Sequence, residues 1–185
     1  MRRAAAIVGS ALFFVIAPGT VAGLVPWWIS RWKFRAPFAG QLPLQIAGGV
    51  MILAALLVLL DSFARFALEG LGTPAPVFPT RRLIVTGLYR YVRNPMYVGV
   101  TSIILGQSLL FGSLRVLEYG ALVWLAFHLF VLLYEEPVMR RTFPRDYAVF
   151  SKNVPRWTPR LTAWRGDPAT SSESSDPNST ARRRR

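Results

Sequence analysis

Two stretches of this chain carry the residue types that could do chemistry. In Tyr134-Glu135-Glu136-Pro137, adjacent carboxylates end an apolar run. Like charges repel there, and keeping both ionised at a membrane boundary is costly without compensating cations. The cation is either a basic side chain, such as Arg140 one turn on if the helix continues through Pro137, or the amine or sulfonium of a ligand. The second stretch is Gly87-Leu88-Tyr89-Arg90-Tyr91-Val92-Arg93-Asn94-Pro95-Met96-Tyr97-Val98-Gly99. Asn94 suits the cap of the apolar helix that follows, and Pro95 suits its first position. Free backbone donors at that helix start, with Arg90 and Arg93 beside them, would stabilise a carboxylate or phosphate. The same residues also suit plain anchoring, with arginines on lipid phosphates and tyrosines in an interfacial belt. Taken together, a site for an anion and a site for a cation bracket a zwitterion. S-adenosylmethionine has those charges, as do many other amino-acid-like ligands.

Other residues have simpler readings. Gly99, Ser102 and Gly106 share roughly one helical face, which favours close helix packing over a ligand surface. His128 lies on roughly the same face as Glu135, and an inward histidine satisfied by another helix is its commoner use. Asp61 and Arg65 are spaced to neutralise each other. The chain has no cysteine and one histidine. Thiolate catalysis and disulfides are therefore excluded, and a protein-built zinc site is not expected.

These residues must be positioned by a membrane bundle. At 185 residues and 52% hydrophobic content, the chain is too apolar for an ordinary soluble domain. Its net charge of +13, nearly all from arginine, points to anionic lipid or nucleic acid, and the apolar runs decide for lipid. Stretches 4–28, 44–66, 96–111 and 116–134 are apolar enough for membrane helices. The first is longer than the apolar stretch of a secretory signal. The last two, joined through Gly112-Ser113-Leu114-Arg115, predict a tight antiparallel hairpin. The breaker-rich 71–79 is a loop. Arginines after this loop and after the fourth helix place both on the cytoplasmic side, against the contrary signal of Arg31, Lys33 and Arg35. Phe143, Tyr147 and Phe150 on one face, with Arg140, Arg141, Arg145 and Lys152 elsewhere, predict an amphipathic helix in the membrane interface. The fold expected is all-α, a polytopic bundle of about four transmembrane helices roofed by that interfacial helix. The domain runs over 1–163, and the polar, Arg-ended tail 164–185 is expected to be disordered.

At this point the residues resemble a known family. Arg93-Asn94-Pro95-Met96-Tyr97-Val98-Gly99 is similar to an Arg-His-Pro-x-Tyr-x-Gly segment that enters a membrane helix, and Glu135-Glu136 to the acid pair some forty residues later. Phe143-Pro144-Arg145-Asp146-Tyr147 and Val154-Pro155-Arg156-Trp157 also look like bacterial members. Over 72–159 the chain thus resembles the isoprenylcysteine carboxyl methyltransferase and phospholipid methyltransferase-like membrane enzymes. The resemblance implies S-adenosylmethionine as cofactor, held on the cytoplasmic side of a bacterial membrane by Arg81, Arg82, Leu83, Ile84, Tyr89, Asn94, Pro95, Met96, Tyr97, and Glu135 or Glu136. It implies a lipophilic acceptor reaching the site from the bilayer, and names no catalytic base. Asn94 replaces the family histidine and cannot take up a proton, which removes any acid or base role there. Val131 and Leu132 stand where prenylcysteine enzymes are expected to have an arginine, which argues against prenylcysteine. Transfer to a carboxylate oxygen neutralises charge and needs no base, so it is favoured over an amine. A sterol-reductase-like NADPH enzyme has a similar Arg-His-Pro-x-Tyr segment but usually carries glutamate where this chain has Val100. A non-catalytic membrane scaffold is the third reading.

Overall fold

The computed structural model describes residues 12–13, 15–34, 41–68, 83 and 85–166. The described residues are helical and irregular, with five principal helices: α1 (Val15–Ser30), α2 (Gln41–Leu68), α3 (Pro95–Phe111), α4 (Leu114–Thr142) and α5 (Pro144–Asn153). Two candidate spans, Leu42–Arg65 within α2 and Leu114–Thr142, are long and apolar enough to cross a membrane; Val15–Ser30 and Pro95–Phe111 are apolar but shorter. The chain is an integral membrane protein built on these helices. On α2, Leu53 and Leu57 are 65% and 70% exposed, and Leu42, Ile46, Val50 and Leu60 are exposed with them. Such a surface is stable against lipid and costly against water.

Among α1 to α4, successive helices run antiparallel. Phe13 stacks on Phe63, Gly48 of α2 meets Gly106 of α3, and Gly120 of α4 rests on Ile104. Gly99 and Gly106 let α3 lie directly on α2: a Cβ at Gly99 would sit 3.3 Å from the Ala55 carbonyl, and one at Gly106 would sit 2.9 Å from the Gly48 carbonyl. This confirms the packing use of that face and adds Gly48, whose partner glycine lies too far along the chain to be read from spacing. A Cβ at Gly48 would fall 2.6 Å from the Gly106 carbonyl and 2.7 Å from the Leu110 nitrogen, both backbone atoms. Gly48→Ala is therefore expected to force α2 and α3 apart and cost about 1–3 kcal/mol. Thermal unfolding in detergent checks this; an unchanged midpoint would refute the contact.

The α3–α4 turn is the expected hairpin. Gly112 takes a left-handed φ of 60° to end α3, and the Ser113 hydroxyl accepts the Val116 N–H to start α4. The fourth helix was expected to stop at 134, but α4 continues through Pro137 to Thr142. A π turn, Val131–Glu135, makes this possible. The Glu136 N–H reaches back to the Val131 carbonyl, and the wider turn relieves the clash that Pro137 would cause in a regular helix.

The same device appears in α1, where the π turn Gly19–Leu24 precedes Pro26 and the Val25 N–H bonds the Thr20 carbonyl. Pro26 has no N–H to offer the carbonyls one turn back, and an unpaired carbonyl in an apolar bundle is costly. Other helices supply the donors. The Tyr119 hydroxyl donates to the Val21 carbonyl at 2.9 Å, and Gln107 Nε2 donates to the Ala22 carbonyl at 2.6 Å. Gln107 also accepts the Trp32 indole N–H at 3.1 Å, tying the end of α1 to α3.

The face of α5 departs from expectation. Tyr147 and Phe150, with Val154, form a buried cluster against Leu83, Val85, Met139, Phe143 and Trp164. The apolar face predicted for the membrane interface is covered by protein, because the chain after α5 folds back beneath it. Trp164, assigned to the tail, packs on Phe150 with ring centroids 5.9 Å apart. The rest of the tail from 167, the loop 71–79 and the first span's beginning lie outside the described residues.

Candidate functional site

The site lies where the start of α3, the π turn of α4 and the segment after α5 meet. The chain before α3 is held by a backbone strap: Trp164 N–H donates to Arg90 O, Arg160 N–H to Tyr91 O and Arg93 N–H to Pro155 O, all at 2.9–3.0 Å. Asn94 is 8% exposed and occupies the cap position of α3, but its side chain makes no cap hydrogen bond. Its amide instead donates to the Arg156 carbonyl at 3.2 Å. The expected cap is thus corrected to a clasp, because the strap brings a carbonyl within reach. Pro95 is fully buried at the first helical position. Met96 packs on the helix core, and Tyr97 stands on the α4 side against Phe127, with ring centroids 4.7 Å apart.

The two adjacent acids have different partners. Glu136 is 5% exposed, and its carboxylate faces three arginines: Arg156 Nε at 2.5 Å, Arg93 Nη1 at 3.1 Å and Arg140 Nη2 at 3.5 Å. Arg93 also donates to the Tyr147 hydroxyl at 3.1 Å. The expected Arg140 pair is present, but it is the most exposed and longest of the three. The hydrogen bond to Glu136 raises the Arg156 pKa above its ordinary value, and burial raises that of Tyr147, so both keep their protons. Glu136 ties α4, the start of α3 and the strap together, and Arg93 carries the link on to Tyr147 of α5.

Glu135 has no such cage. One of its oxygens accepts the Tyr97 hydroxyl at 3.0 Å, and among the described residues no arginine or lysine pairs with it. Tyr89, buried in the short 3-10 turn Gly87–Arg90, stands close enough to feel the Glu135 charge. Burial first, and Glu135 second, hold its phenol well above the usual range, so it is a neutral donor.

The structure thus brings together Tyr89, Asn94, Pro95, Tyr97, Glu135 and Glu136. Leu83 is elsewhere, in the packing beneath α5. Arg81, Arg82 and Ile84 lie outside the described residues. Arg90 and Arg93 do not share one anion site: Arg93 is committed to Glu136, while Arg90 lines a separate pocket with Asp61 and Arg65. Asp61 and Arg65 form the predicted pair at 2.9 Å. His128 is satisfied by the strap, its Nδ1 accepting the Trp157 indole N–H at 3.0 Å. Sequence reasoning gave no role to Arg156 or Trp157. The available signal was the need of a buried acid for more positive charge than Arg140 supplies.

No curated protein matches the chain. The sequence model of the phospholipid methyltransferase family matches residues 44–146, from the middle of the bundle through the acid pair. That match covers more than half of the chain, and the chain therefore belongs to the phospholipid methyltransferase family of membrane methyltransferases, within the group that includes the isoprenylcysteine carboxyl methyltransferases.

Proposed function

We propose that the protein transfers a methyl group from S-adenosylmethionine to a lipophilic acceptor in the bilayer. The observation that carries this reading is the asymmetry of the acid pair: Glu136 is bound to arginines, while Glu135 accepts the Tyr97 hydroxyl and pairs with no arginine or lysine among the described residues. A carboxylate at a membrane boundary without a protein cation suits a cationic ligand group. When bound, the cofactor supplies an electrophilic methyl on a sulfonium. Glu135 would hold its positive end, with Tyr97 orienting the carboxylate. The start of α3, where the Asn94 side chain leaves the helix donors uncapped, suits its carboxylate. Tyr89 and Tyr97 close the site against water and provide fixed dipoles in place of solvent.

A carboxylate acceptor is favoured because its attack consumes charge and needs no proton acceptor. A lipid amine is the second reading, since it must shed a proton first and Glu135 is the acid left without an arginine. The reductase reading loses its ground with the family assignment. The positive clusters flanking α3 and α4 support a site on the cytoplasmic side of the membrane.

Calorimetric titration of S-adenosylhomocysteine into the detergent-purified protein, with NADPH as a control, tests the proposal. Saturable binding of S-adenosylhomocysteine alone is expected. Absence of binding would favour the scaffold reading, and binding of NADPH would restore the reductase.

A further inference from the structure

A pocket of about 450 Å³ opens between α2 and the 3-10 turn Gly87–Arg90. Leu57 and Val58 form its apolar wall, Asp61, Arg65 and Arg90 its polar end, and Ala163 of the strap its floor. Its volume lies in the range of small-ligand sites.

Asp61 pairs with Arg65 at 2.9 Å, and Arg90 is the second cation of the polar end. Among the described residues no carboxylate pairs with Arg90, and its buried Nε meets no acceptor. A guanidinium N–H kept from water without an acceptor costs about 1–3 kcal/mol or more. The protein nevertheless holds Arg90 in place, because the strap bonds its carbonyl to the Trp164 N–H. The apolar wall continues onto the lipid-facing side of α2, where Leu53, Leu57 and Leu60 are exposed. An occupant therefore meets the Arg90 guanidinium at its head and a row of leucines along its body.

We propose that this pocket binds the phosphodiester headgroup of an anionic lipid through Arg90, with an acyl chain lying along Leu53, Leu57 and Leu60. A phosphodiester offers a negative charge and acceptor oxygens to the unpartnered Arg90 Nε–H, and arginine is suited to phosphate geometry. The pocket is lined by Leu88 and Arg90 on either side of Tyr89, while neither Glu135 nor Tyr97 lines it. It is a resident lipid that holds α2 to the turn before α3, distinct from the methyl acceptor.

The test is thermal unfolding of the detergent-purified full chain with added phosphatidylglycerol, phosphatidylcholine or inorganic phosphate, without cofactor. Phosphatidylglycerol is expected to raise the midpoint by on the order of 5 °C near saturation. Arg90→Gln should lose that shift, and Arg90→Lys should keep part of it. Leu57→Trp, which fills the apolar wall from an exposed position, should lose it without lowering the midpoint of the lipid-free protein. Arg141→Gln, on the exposed face, should retain it. An equal shift in wild type and Arg90→Gln would mean general surface charge and overturn the proposal. An equal effect of phosphatidylcholine would overturn the anion requirement. A full shift with inorganic phosphate that Leu57→Trp leaves intact would identify a free phosphate site and overturn the lipid. Because no cofactor is present, these outcomes are independent of the S-adenosylhomocysteine titration.

Discussion

Glu136→Ala is expected to lower stability by about 3–5 kcal/mol, the usual cost of removing one partner from a buried ion pair and leaving the other charge uncompensated. Arg93 and Arg156 are the exposed consequence. Their guanidinium groups are held at 3.1 and 2.5 Å from the same carboxylate, and neither has another acid within ion-pair distance among the described residues. Arg140 is mostly solvated and can turn to water. In a chain of this size the loss corresponds to on the order of 10 °C in the unfolding midpoint. Glu136→Gln should fall between wild type and alanine, since the amide oxygen can still accept one guanidinium N–H while supplying no charge. A midpoint within about 2 °C of wild type for the alanine variant would show that the arginines find water and that Glu136 does not lock the strap.

Glu135→Gln is expected to leave the midpoint nearly unchanged and to weaken S-adenosylhomocysteine binding about 10–100-fold, because a hydrogen bond to a charged group contributes roughly 1.5–3 kcal/mol. Tyr97→Phe removes a neutral donor that positions Glu135, and about a 2–10-fold loss is expected. The order of effects separates the two acids. If Glu136→Gln abolished binding in a still-folded protein while Glu135→Gln did not, the division of labour argued above would be reversed. Calorimetry and unfolding on the same samples decide it.

What the sequence made legible was local. Gly112-Ser113 announced the hairpin because a left-handed residue followed by a capping hydroxyl acts within one turn. Asp61 with Arg65, and Glu136 with Arg140, followed from helical spacing. The acid pair and the α3 start were recognisable as chemistry because charge beside an apolar run demands a reason. The interactions that assemble the site were not legible. Arg156 reaches Glu136, and the Asn94 amide reaches Arg156, only because the chain after α5 turns back along residues 90–93. No periodicity encodes that return. The α5 face illustrates the same limit: an amphipathic pattern reveals an apolar side but not whether lipid or Trp164 will cover it.

The π turn Val131–Glu135 has an outcome that belongs to helical phase. Neighbouring residues on a helix point about 100° apart, and a π turn inserts about that much rotation relative to a regular helix. With the turn in place, Glu135 faces Tyr97 and Glu136 faces the arginines. If the helix ran on regularly from the same starting register, Tyr134 would take the position beside Tyr97, and Glu135 would swing into the arginine cage. The two acids are chemically identical, so their division into one that meets Tyr97 and one that meets the arginines is a matter of angular offset, and Pro137 maintains it.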